Sequence, residues 1–154
     1  MVAQQSQVDS FTEFVETYEA RLRQALIASC GGDRGRDAAC DALSYGWEHW
    51  DRVRPMDNPV GYLYRVGVDR ARREFRRKPV RFDPVESARI PDVEPRLPAA
   101  LVGLSERQRI IAVLVHGFGW TQVEVAGLLG LSRSAVRNHL ERAMASLRRS
   151  IGGS

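Results

Sequence analysis

Apolar residues recur along this chain at helical spacing. Phe11, Phe14, Val15, Tyr18, Leu22 and Leu26 fall on one face of a 3.6-residue repeat, which predicts a first helix starting at Ser10 with Glu13 as its capping partner. Gly31 and Gly32 stop it, and Asp33 is placed to cap a second helix running to about Trp50, with Ala39, Leu43, Trp47 and Trp50 turned inward. A third helix opens at Asn58 with Pro59 at its first position, where a missing N–H leaves no bond unmade. It carries Tyr62, Leu63, Val66 and Phe75 and runs into the basic stretch ending at Pro79. Farther on, Ser105 and Gln108 form a capping box ahead of Ile110, Ile111, Val113 and Leu114, and Gly117-Phe118-Gly119 breaks that helix. Thr121 and Glu124 form another box; Val125, Ala126 and Leu129 share an apolar face, and Gly130 supplies a left-handed stop. Ser132 then caps a last helix in which Val136, Leu140, Ala143 and Leu147 repeat at i, i+4, i+7 and i+11. No stretch alternates convincingly, so the expected fold class is all-α.

Five of the seven prolines (Pro79, Pro84, Pro91, Pro95 and Pro98) lie within residues 79–98, a spacing no helix can run through. That predicts two small helical domains, 9–79 and 98–151, joined by a proline-rich extended linker at 80–97. The C-terminal domain ends in a helix-turn-helix.

Charge adds to the picture because it is blocked. Residues 61–81 hold eight basic and two acidic groups, and residues 101–154 hold seven and three, whereas residues 1–60 and 82–100 are net acidic. Two basic blocks imply two nucleic-acid contacts, and the acidic ones a different partner. Cys30 and Cys40 have no second cysteine pair and no histidine at ligand spacing, so a metal site is not expected and reduced thiols are. The three histidines sit in no catalytic pattern, and neither catalysis nor a cofactor has support. No apolar run reaches membrane-spanning length, and the N-terminus lacks the build of a secretory signal, so a cytoplasmic protein without membrane insertion is expected.

Three elements carry candidate function. The last helix turns Arg133, Ser134, Arg137, Asn138 and Arg142 outward, with no acid before Glu141, which suits a recognition helix in a DNA major groove. A solvated face on an ordinary hairpin is the plain alternative. The third helix crowds Arg65, Arg70, Arg72, Arg73, Arg76, Arg77 and Lys78 together with Tyr62, Tyr64 and Phe75. Cations hold a phosphate backbone and planar groups stack unpaired bases, although such aromatics more often serve as core. Like charges at this density repel unless a polyanion is bound. On the second helix, Asp37 and Asp41 share a face, a setting for a basic protein partner.

Together these elements resemble the sigma factors of bacterial RNA polymerase, of the two-domain extracytoplasmic-function class. The resemblance is carried by WEHWDRV at 47–53, NPVGYLYRV at 58–66 with RARREFRRKP after it, LSERQR at 104–109, and GFGWTQVEVAGLLGLSRSAVRNHLERAMASLR at 117–148. It implies a transcription initiation factor that binds core RNA polymerase and directs it to promoter DNA. Asp37, Cys40, Asp41 and Trp47 would dock on polymerase. Tyr62, Arg65, Asp69, Arg72, Arg73, Arg76 and Arg77 would handle the −10 element. Thr121, Gln122, Arg133, Ser134, Arg137, Asn138 and Arg142 would hold the −35 duplex, Arg137 and Asn138 at base edges. The linker acids Asp83, Glu86, Asp92 and Glu94 would thread toward the polymerase active-site cleft. The family often has Gln where Cys40 stands and usually Asn where Asp69 stands. An anti-sigma protein is a common partner in this class, and the site of action would be the nucleoid. A free-standing helix-turn-helix regulator is the alternative reading, and an RNA-binding or nuclease protein a third.

Overall fold

The first helix of the computed structural model, α1, spans Val2–Cys30 and is the longest of the described elements. The structure describes residues 1–77 and 96–152, and the side chains of Phe75 and Arg77 lie outside the description. Ser10 therefore does not cap α1, which begins eight residues earlier. Its hydroxyl instead accepts from the Trp50 indole N–H at 3.2 Å. Nothing at Ser10 stops the helix continuing toward the N-terminus, and residues 1–9 are all exposed.

Gly31 (φ 93°) turns the chain into α2, Gly32–Glu48. The cap falls on Gly31 rather than Asp33, which sits in the first turn. There its charge still favours the helix N-terminus. The two helices then run so close that a Cβ at Gly35 would press into the Ile27 backbone and come within 2.8 Å of the Leu26 carbonyl carbon. A break at His49 leads to the short α3, Trp50–Val53. That break separates the two tryptophans. Trp50 is buried between Phe11 and Phe14, at centroid distances of 5.2 and 5.1 Å. Trp47, expected inside, is 47% exposed and only leans on Phe11 at the rim. Tyr18 is likewise largely exposed. The α1 face otherwise matches its pattern, with Phe14, Leu22 and Leu26 buried and Phe11 and Val15 half-buried.

Helix α4, Pro59–Arg77, completes the N-terminal bundle. Asn58 caps it, its side-chain oxygen accepting from Gly61 N–H at 3.0 Å. Leu63 is buried, and the buried Tyr64 hydroxyl lies 2.6 Å from Ser29 Oγ.

The C-terminal bundle opens with α5, Leu97–Val102, a turn and a half with Pro98 in its first turn that the periodicity alone does not mark. The linker expected at 80–97 lies outside the described residues up to 95, and Arg96 and Leu97 are already a turn and a helix start. Helix α6, Glu106–Ala112, carries the full Ser105/Gln108 capping box and widens into a π-helical turn at Val113–Gly117. Ile110, Ile111, Val113 and Leu114 are all buried. Helix α7, Gln122–Leu129, has the Thr121/Glu124 box complete. It ends at Gly130 in the left-handed conformation (φ 68°, ψ 32°), where a side chain would clash with the preceding carbonyl. Ser132 Oγ accepts from Ala135 N–H at 3.1 Å to start α8, Arg133–Gly152. Val136, Leu140, Ala143 and Leu147 form its buried stripe, as their spacing requires. Among the described residues there is no strand, and no helix is long and apolar enough to cross a membrane. The fold class is all-α, with a helix-turn-helix at its C-terminal end.

Candidate nucleic-acid interface and partner surfaces

Burying the apolar stripe of α8 forces the opposite face into solvent. Arg133, Ser134, Arg137, Asn138 and Arg142 are all exposed, and so are Thr121 and Gln122 at the start of α7. The side chains of Arg137, Asn138 and Arg142 make no hydrogen bond or ion pair among the described residues. Unpaired guanidinium forks on a rigid helix suit bidentate contact with phosphate or a guanine edge. The first turn of α8 contains no carboxylate, so the positive end of the helix dipole adds to the same face. Glu141 is the one acid on the outward arc between Arg133 and Arg142.

The basic face of α4 is less free. Arg65, Asp69, Arg72, Arg73 and Arg76 are exposed, while the Arg77 side chain lies outside the description. Arg65 Nε reaches the Gly61 carbonyl at 3.4 Å, and the half-buried Arg70 stacks on Tyr45 at 5.5 Å. Tyr62 is half-buried, its hydroxyl 3.1 Å from that of Tyr45, so its ring is partly engaged inside the bundle. Tyr64 is deeper still, and burial pushes its phenol up to about 12. Arg72 Nη2 donates to Glu106 Oε1 at 3.0 Å, and that bond raises the guanidinium pKa further. Arg73 and Arg76 are the described arginines of this helix whose side chains have no partner among the described residues.

The α2 face collects Asp37, Cys40, Asp41 and, at its far end, Trp47, all exposed. Acid, small thiol and indole lie along one side of a helix whose other side is buried at Ala38, Ala39 and Ala42. An exposed large aromatic flanked by carboxylates has the make-up of a protein-docking patch. Cys30, by contrast, is buried, and desolvation raises its thiol to about 11. No group of three or more metal-ligating side chains occurs among the described residues.

Residues 100–149 match the family model of sigma-70, region 4. The C-terminal bundle is a sigma-70 region 4. Its match covers α6, α7 and most of α8, together with the capped turns between them. Over the whole chain, the structure is similar to that of the sigma factor RpoE in complex with the anti-sigma factor NepR from Bartonella quintana. That likeness has a TM-score of 0.59 at 18% identity and covers 92% of this chain and 96% of the other. It is also similar to CnrH in complex with the cytosolic domain of CnrY, with a TM-score of 0.62 at 26% identity over 94% of this chain and 88% of the other. No curated protein matches the sequence. The chain therefore has a sigma-factor fold from α1 to α8.

The pairing of one set of residues carried no signal in the sequence. Region 4 packs against the N-terminal bundle through Arg21, Gln24, Asn58, Arg72, Glu106, Trp120 and Glu124, whose pairs lie up to 103 residues apart. Glu124 read as the partner of Thr121 in a capping box and nothing more. Only the packing gives these residues their partners.

Proposed function

We propose that this protein is a transcription initiation factor acting in the cytoplasm, at the nucleoid. It binds core RNA polymerase through the α2 face (Asp37, Cys40, Asp41 and Trp47) and directs it to two-part promoters. The proposed domains are 9–79 for polymerase docking and the −10 element and 98–151 for the −35 element. The observation that carries the reading is the α8 face, unpaired and cationic, within a matched region 4. Arg137 and Asn138 contact base edges there, while Thr121, Gln122, Arg133, Ser134 and Arg142 hold phosphates and orient the helix. On α4, Arg65, Arg72, Arg73, Arg76 and Arg77 hold the backbone of the −10 strand. Asp69 among them accepts from a base amino group or weakens the grip by repelling phosphate. Tyr62 stacks on a base only by giving up its contact with Tyr45. An anti-sigma protein is a further partner, a proposal supported by the NepR-bound fold relative.

The test is to add the purified chain to core polymerase and score run-off transcripts on genomic DNA. Promoter-dependent transcripts and co-elution with core are expected; the absence of both refutes the reading. Sequence-specific duplex binding by the chain alone would point instead to a free-standing regulator. Arg137→Ala relaxes −35 base preference, by about 1–3 kcal/mol at one base pair. Arg76→Ala weakens binding without changing preference. Unchanged −35 preference in Arg137→Ala, measured on a randomised promoter library, would remove that residue from the recognition set.

A further inference from the structure

We propose that the cleft between α4 and the start of α6 is a binding site for a nucleoside diphosphate or triphosphate. The site stands independently of the function proposed above; only its effect on transcription rests on that reading.

The cleft has a volume of about 560 Å³, within the range of roughly 300–1,000 Å³ common for small-molecule sites. Arg65, Asp69 and Arg72 of α4 form one wall, and Ser105, Glu106 and Arg107 form the other. Three guanidiniums therefore line a single cavity. Arg72 Nη2 is held by Glu106 Oε1 at 3.0 Å. The other two have forks to spare. Arg65 Nε is tied to the Gly61 carbonyl at 3.4 Å, which leaves its two Nη groups without a partner among the described residues. Arg107 is exposed, and its side chain has no partner among the described residues. Cations gathered around one cavity repel, and an anion between them removes that repulsion. Guanidinium forks match phosphate oxygens two at a time.

Inorganic phosphate uses only part of this lining. Asp69 and Glu106 sit among the arginines and repel a bare anion. Carboxylates accept hydrogen bonds, so their presence favours a ligand that also carries hydroxyl or amino donors. Val68, Ile110 and Leu129 line the same cleft, Ile110 buried and the other two half-buried. Such side chains suit a flat apolar face. A nucleotide supplies all three complements: a polyphosphate for the arginines, ribose hydroxyls and base amino groups for the acids, and a planar base for the apolar floor. The guanidiniums come from two walls, which calls for more than one phosphate. A continuous nucleic-acid strand is the poorer occupant. Its phosphates cannot all avoid Asp69 and Glu106, whereas a mononucleotide carries its charge at one end.

Occupancy has a consequence for transcription. Arg65 and Arg72 also belong to the set proposed for the −10 strand. A nucleotide seated on them and that strand exclude each other, which makes the cleft a route for nucleotide control of promoter opening.

The test is isothermal titration calorimetry of the full chain with GDP, inorganic pyrophosphate and guanosine. GDP should bind, and pyrophosphate and guanosine should each bind at least about tenfold more weakly. Arg107→Ala should weaken GDP binding at least about tenfold at unchanged helicity by circular dichroism. Arg148→Ala, which removes an exposed arginine of α8 outside the cleft, should change it by less than about twofold. No GDP binding, or either control compound binding as tightly as GDP, overturns the nucleotide site. Equal losses in the two variants also overturn it, since binding would then follow general charge. For the effect on transcription, the wild type is incubated with GDP before core polymerase and promoter are added. Open complexes should form several-fold more slowly, and Arg107→Ala should need several-fold more GDP for the same slowing. Equal GDP sensitivity of the two proteins overturns the control of promoter opening. If neither protein yields promoter-dependent transcripts, the functional reading fails and takes that control with it, while calorimetry still decides the site.

Discussion

The two bundles of this chain reach the same kind of helical packing by different routes. In region 4 each helix start and stop is written locally, as two complete capping boxes, a serine cap and a left-handed glycine. In the N-terminal bundle only Asn58 makes such a side-chain cap, and α1 and α2 have none. That bundle relies on long-range fit instead: an aromatic cluster around Trp50 and a helix crossing at Gly35 with no room for a methyl group. Local caps act one at a time and give modest increments, whereas a tight crossing fails as a whole. The N-terminal bundle is accordingly the more sensitive to single substitutions.

Trp50→Ala tests the contrast most severely. Removing a buried indole from between two phenylalanines should cost about 3–5 kcal/mol in urea denaturation. A loss under ~1 kcal/mol would mean that the aromatic cluster is not the anchor. Gly35→Ala should follow at about 1–3 kcal/mol, because the added methyl meets backbone rather than a yielding side chain. Thr121→Ala should cost only about 1 kcal/mol, the usual value of a lost cap.

The same cap has a pH signature. The backbone hydrogen bond from Thr121 is the main reason that the Glu124 carboxyl sits below its ordinary value of 4.5, with the Thr121 side chain and Arg21 adding to it. A depressed carboxylate stabilises the fold fully above the ordinary value and loses that contribution as pH falls through its folded value. The wild type should therefore lose stability below about pH 4.5 more steeply than Glu124→Gln in acid titrations followed by circular dichroism. Equal slopes would assign the acid sensitivity to other carboxylates.

The smallest effect reverses sign. Gly127→Ala, in an open helical position with nothing within 4 Å of the added Cβ, should be neutral or stabilising by up to about 1 kcal/mol. A marked destabilisation there would show that region 4 has its own tight crossing and would erase the contrast.

This difference also explains what could be read in advance. The Thr121/Glu124 and Ser105/Gln108 boxes, the Gly130 stop and the stripe from Val136 to Leu147 all appear in the structure at the expected residues. Each depends on atoms within a few residues of one another. The misread features lie in the other bundle. Ser10 has the letters of a cap but serves Trp50, 40 residues away. Trp47 continues the apolar spacing of α2 but lies exposed at its end, and Trp50, beyond the break at His49, is the one that enters the core. Asp33 lost the cap to Gly31, whose left-handed backbone sets the turn. The site residues divide in the same way. Exposure of Arg133, Arg137 and Arg142 follows from the buried stripe opposite, whereas the sharing of Arg72 with Glu106 has no local signature.

The sequence by itself determined the all-α class, the helix-turn-helix with its outward arginines, and the basic character of α4. Those follow from periodicity, capping chemistry and charge, which act over one or two helical turns. Tertiary structure alone decided that Trp47 faces solvent while Trp50 anchors the core, and that Gly35 is a crossing point. It alone decided that Trp120 and Glu124, at the threshold of the recognition motif, close onto α1. These depend on which surfaces meet across tens of residues, and no local pattern encodes the partner of an indole N–H 96 positions away.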